Sequence, residues 1–117
     1  MTNKRVELED INRAALAFFS ALLEGQKVGT APGFTATIGL ASTQVLATQA
    51  ARIHSLIIND SDTDIYLALG EAAVLNKGPK LLPGGVFEIS WYNLYTGAIN
   101  AICATANKVL CGMDART

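Results

Sequence analysis

Between Arg52 and Met113 the chain passes through short apolar segments at intervals of roughly 10–15 residues, separated by turn residues and with no helical period between them. This pattern restricts the fold more than any other feature. Arg52-Ile-His-Ser-Leu-Ile-Ile58 reads as a buried strand, and Asp64–Leu69 as the next, with Ile65, Leu67 and Leu69 on one face. Asp60–Thr63 between them has the Asp and Ser content of a hairpin turn. Lys77–Gly85 reads as a longer turn region, because it holds Pro79, Pro83 and the Gly84-Gly85 pair. Phe87, Ile89 and Trp91 alternate along a strand from Val86. Gly97–Ala104 and Lys108–Met113 then form a final pair joined near Ala106-Asn107. Upstream, Thr35–Ile38 and Thr43–Leu46 are two smaller β segments on either side of Gly39. The expected fold class is mainly β: an antiparallel β-sandwich or barrel whose inward set is Ile57, Ile65, Leu67, Phe87, Ile89 and Ile102.

The N-terminal part has a different grammar. Leu8, Ile11, Ala15, Phe18 and Leu22 recur at helical spacing, and Phe19 and Leu23 widen the stripe. Glu7, Glu9 and Asp10 suit the positive end of a helix dipole, and Gly25 is a natural stop. Such a stripe either docks on the chain's own β core or, at its near-3.5-residue period, makes a short helix–helix contact between subunits. At about two heptads it is too short to hold chains together unaided. The next 24 residues, Val28–Ala51, carry no charge at all, which suggests an extended arm lying against something. The expected organisation is a helix and arm over residues 1–50 and a β head over residues 51–117.

Composition narrows the function. Half of the 117 residues are apolar and only 16% are charged, so much of the surface is neutral and suited to being covered. A net charge of −1 offers no basic field for nucleic acid. No apolar run reaches the roughly 18–20 residues of a membrane-spanning helix. The opening MTNKRVELED places acids where a signal peptide has its apolar core. Cys103 and Cys111 sit in apolar segments and match no metal-binding spacing, so they read as small hydrophobes rather than a disulfide.

Catalytic and cofactor signatures are sparse. His54 has no nucleophile motif beside it and reads as an exposed or inter-strand side chain. Gly84-Gly85 lacks a following Lys and helix, so no phosphate cradle is expected. Asp60, Asp62, Asp64 and Glu71 match positions 1, 3, 5 and 12 of a helix-flanked calcium loop. Ile65 occupies the sixth position, where that loop needs Gly, and both flanks read as strands. A solvated turn whose Asp side chains cap backbone amides is the better reading, with a surface cation site on Asp60, Asp62 and Asp64 as the alternative. Trp91, Tyr92 and Tyr95 could stack on a sugar or base, but without flanking Lys or Arg they read as core and edge packing. No enzyme activity and no cofactor is expected.

Three stretches together carry a resemblance: Arg52–Gly70 with its "I-x-N-x-S-D-T-D-I-Y" run, "L-P-G-G" at Leu82–Gly85, and "Y-T-G-A-I-x-A-I" at Tyr95–Ile102. Across roughly residues 40–113 the chain resembles small virion proteins of tailed bacteriophages and prophages. The resemblance implies a small, often oligomeric β-sandwich or barrel on the outside of a phage particle. The role it implies is a capsid decoration (cement or turret) protein, or a fibre base. It further implies a major capsid protein or other virion protein as partner, and assembly in the host cytoplasm on the capsid surface. Icosahedral threefold positions favour a homotrimer. Tail or head–tail component and glycan-binding host-attachment module are the competing functions. The residues expected to carry interaction are Leu8, Ile11, Phe18 and Leu22 on the helix, and Trp91, Tyr92 and Tyr95 on the head.

Overall fold

The computed structural model describes Asn12, Arg13, Ala15–Ala17 and residues 27–117. The described residues form eight strands: β1 (Gly33–Ile38), β2 (Thr43–Leu46), β3 (Arg52–Asn59), β4 (Ile65–Leu69), β5 (Lys80–Leu81), β6 (Val86–Ile89), β7 (Ile99–Cys103) and β8 (Lys108–Arg116). They form two antiparallel four-stranded sheets, one in the order β1-β8-β3-β6 and the other β2-β7-β4-β5. The chain is mainly β, as its spacing implies.

The two sheets share one apolar core. Ile38, Ile57, Ile89 and Leu110 from the first sheet meet Leu46, Ile65, Leu67, Ile99, Ala101 and Cys103 from the second. Each strand sends alternate residues into this layer, so the period-2 pattern of the sequence becomes the two faces of each sheet. Five of the six expected inward residues pack there, Phe87 from a half-buried position. Ile102 is the exception. It alternates with Ala101 and Cys103, so it faces away from the core and is buried instead against Ala68 and Ala73, with Tyr66 beside it.

Two expected hairpins are not hairpins. β3 and β4 lie in different sheets, so Asp60–Asp64 carries the chain across the sandwich rather than back along it. β7 and β8 are divided in the same way. Only β4 and β5 are sequence neighbours that pair; every other connection crosses between sheets. Short turn-rich connections serve either geometry, and the apolar pattern is the same for both. The expected boundary at residue 50 is also corrected. β1 pairs with β8 over six residues and β2 pairs with β7, so residues 33–46 complete both sheets instead of forming an arm outside the head. Their lack of charge suits edge strands that pack on the core through Phe34, Ala36, Ile38 and Leu46.

Candidate interaction surface

The sequence motifs resolve into posts that hold loops together. Arg52 opens β3 and is 1% exposed. A bulge between Arg52 and His54 turns its side chain inward, where Nε donates to Asp114 Oδ1 at 2.7 Å. Its other guanidinium nitrogens donate to the carbonyls of Ala47, Tyr95 and Gly97 at 2.8–3.1 Å. One buried cation thus ties β8 and the β6–β7 connection to the segment before β3. The planar fork of Arg suits this; the single ammonium of Lys does not.

At the other end of β3, the fully buried Asn59 does similar work. Its side-chain amide donates to the carbonyls of Thr63 and Leu81, and its Oδ1 accepts from Ser61. Its backbone bonds both Gly84 and Gly85. Leu82-Pro83-Gly84-Gly85 is a tight turn closed by Gly85 N–H to Leu82 carbonyl at 2.7 Å, with Gly84 at φ 79°. That is a type II turn, whose third residue needs positive φ and whose second suits Pro. The "S-D-T-D" crossing therefore leans on the "L-P-G-G" turn through Asn59.

The Asp side chains do not cap the crossing, as the sequence suggested; Asn59 and Ser61 do. Asp62 instead pairs with Lys108 at 2.6 Å, and the hydrogen bond to Lys108 holds its carboxyl below the ordinary range. Asp64 pairs with Lys80 at 3.3 Å and raises that ammonium's pKa. Among the described residues no three His, Cys, Asp or Glu side chains converge on a metal-sized site. The concavity of about 330 Å³ under the β4–β5 connection has only Glu71 and Lys77 as ionisable lining, and these pair at 4.0 Å.

The three aromatic residues separate. Tyr95 is half-buried against the core, with its hydroxyl on the Ala98 carbonyl at 3.3 Å. Its ring end occupies the space a Cβ on Gly70 or Gly97 would need, which accounts for Gly at both places. Trp91 and Tyr92 are 78% and 63% exposed, so the expectation of core packing is corrected for these two. They meet edge to face at 5.8 Å on a turn fixed by Asn93, whose side chain accepts from Ser90 N–H and donates to the Glu88 carbonyl. Glu88 lies 3.0 Å from His54 Nε2 and accepts from the Tyr92 hydroxyl. The hydrogen bond to His54, then that from Tyr92, lowers the Glu88 pKa, while the Glu88 charge raises that of Tyr92. His54 is thus an inter-strand side chain, one of the two forms expected.

Leu8, Ile11, Phe18 and Leu22 lie outside the described residues. Asn12, Arg13 and Ala15–Ala17, between them, are helical and exposed. Sequence reasoning missed the Arg52–Asp114 post; a lone Arg at a strand start next to an apolar run was its only trace. No protein-family model, curated protein or solved structure matches the chain.

Proposed function

We propose that this chain is a structural subunit of a bacteriophage virion. In this reading it is a capsid decoration protein that binds the major capsid protein on the outside of the shell as a homotrimer and stabilises it. One observation carries the reading. The residues behind the resemblance are those that lock this sandwich: Arg52 to Tyr95 and Gly97, Asn59 to the Leu82–Gly85 turn, and Gly70 to Tyr95. A likeness concentrated in loop-locking residues is a likeness of fold, and a rigid neutral sandwich suits a protein whose work is to be covered. A tail, fibre-base or head–tail position uses the same architecture. Immunogold labelling of particles from the phage or prophage that encodes the chain separates these: label over the head supports decoration, label on the tail supports the alternative, and unlabelled particles overturn both.

A second reading rests on Trp91 and Tyr92. An exposed aromatic pair on a hydrogen-bonded turn, with Glu88 and His54 alongside, is suited to stacking on a sugar ring and bonding its hydroxyls. A glycan array probed with the intact protein and with Trp91→Ala tests it; loss of a specific signal in the variant supports host attachment.

A further inference from the structure

The edge of a sheet exposes unpaired main-chain groups, and four strands lie at edges here: β1 and β6 in one sheet, β2 and β5 in the other. Three of them carry features that ordinarily keep an edge from pairing. β5 is two residues long, follows Pro79 and begins with Lys80. β6 has four residues and holds the exposed carboxylate of Glu88. β2 has four residues and a bulge between Gln44 and Leu46. β1 differs. Its six residues, Gly33–Ile38, keep unbroken register with β8 and include no charge, proline or bulge. They lie inside Val28–Ala51, the span without a charged residue, and Gly33, Thr35 and Thr37 are exposed.

The pairing with β8 determines which main-chain groups of β1 are open. The Asp114 N–H donates to the Pro32 carbonyl, and Thr30 exchanges two hydrogen bonds with Arg116. Bonding alternates along an antiparallel pair, so Phe34, Ala36 and Ile38 turn their N–H and C=O groups to β8. Gly33, Thr35 and Thr37 turn theirs outward. Among the described residues these three have no main-chain partner.

We propose that β1 pairs antiparallel with β1 of a second copy about a twofold axis at Thr35, joining two β1-β8-β3-β6 sheets into one. The edge is complementary to itself in that register. Thr35 meets its own copy and Gly33 meets Thr37, so every open position pairs at once and about six main-chain hydrogen bonds form. Within β1, any other antiparallel register leaves one of the three unpaired. Opposed threonines are a favourable cross-strand pair, and no like charges meet. Phe34 falls opposite Ala36, a large ring beside a small side chain. Both are half-buried on the core side of β1, where the second copy would cover them. This self-complementarity selects a second copy over an unrelated strand. Six residues a side is a small interface, so the pair should dissociate on dilution. The inference concerns contact between copies and does not rest on the virion reading.

In sedimentation of the full chain at high loading concentration, Thr35→Pro should halve the mass of the native species. That is one chain from two, or three from six where the chain also trimerises. The Thr35 N–H points away from β8, so the substitution removes an outward donor and keeps the β1–β8 ladder, which a native far-UV CD spectrum checks. Disulfide linkage reads the register independently, in a Cys111→Ser background because Cys111 stands opposite Thr35 on β8. Thr35→Cys should give a linked dimer on a non-reducing gel after mild oxidation, since paired Cα atoms about 5.5 Å apart suit the bond. Thr37→Cys should not link to itself, because the two copies of that position lie about 14 Å apart, and should link when mixed with Gly33→Cys. A monomeric native chain, a mass unchanged in folded Thr35→Pro, or Thr37→Cys linking to itself as readily as Thr35→Cys overturns the proposal.

Discussion

Arg52 and Asp114 are the residues on which the ends of the sandwich depend. Their side chains are 0% and 5% exposed, so removing one leaves the other charged, buried and unpaired. Asp114→Ala should cost about 3–5 kcal/mol in urea unfolding. Adding Arg52→Met should recover only part of this, because the carbonyls of Ala47, Tyr95 and Gly97 then lose their donor. Full recovery in the double variant would show that the carbonyl contacts contribute nothing. In the core, Ile57→Ala should cost about 2–5 kcal/mol. Ile57 was legible from the apolar run Leu56-Ile57-Ile58, which reads as a buried strand. The Arg52 post was not, since its partner lies 62 positions along the chain and a bulge, invisible in the sequence, turns the side chain inward.

At the scale of elements, the sequence located strands better than their partners. β1 and β2 fall on the segments read as Thr35–Ile38 and Thr43–Leu46, yet the crossings at Asp60–Asp64 and after Cys103 looked like hairpins. Turn chemistry and period 2 are common to a hairpin and a sheet-to-sheet crossing. Which one forms depends on which core face the next strand completes. β8 shows the consequence, because this last strand lies between β1 and β3, both from the first half of the chain. Gly112 on β8 faces the ring of Phe34, and a Cβ there would press on Phe34 and on the Leu56 carbonyl. Gly112→Ala should destabilise by about 1–3 kcal/mol, the range for overpacking; an unchanged urea midpoint would show that the strands shift freely.

The Glu88 contacts between β3, β6 and the following turn give a pH signature. Its carboxyl has a lower pKa folded than the ordinary 4.5, so the stabilisation is present above that value and is lost as pH falls through the folded one. The melting-temperature gap between native protein and Glu88→Gln should be constant near neutral pH and close in acid. A gap that persists at pH 2–3 would contradict the contact. Its size should be small, because both side chains are substantially exposed.

For the whole molecule, composition indicated neutral surface, and the fold gives part of it a location: the outer face of the β1-β8-β3-β6 sheet, which has no cover among the described residues. That face was illegible in the sequence because Cys111, Met113, Leu56 and Ile58 look like core residues until register places them outside. A chain beginning at Lys27 keeps all eight strands and the Thr30–Arg116 bridge, and should fold to the same β spectrum by CD. Loss of the β spectrum would place the helix in the head's own core. The central claim, that this sandwich is a capsid decoration subunit, is tested most directly by copy number. Quantitative mass spectrometry of purified particles against the major capsid protein should find hundreds of copies per particle, and its absence from the particles would contradict the account.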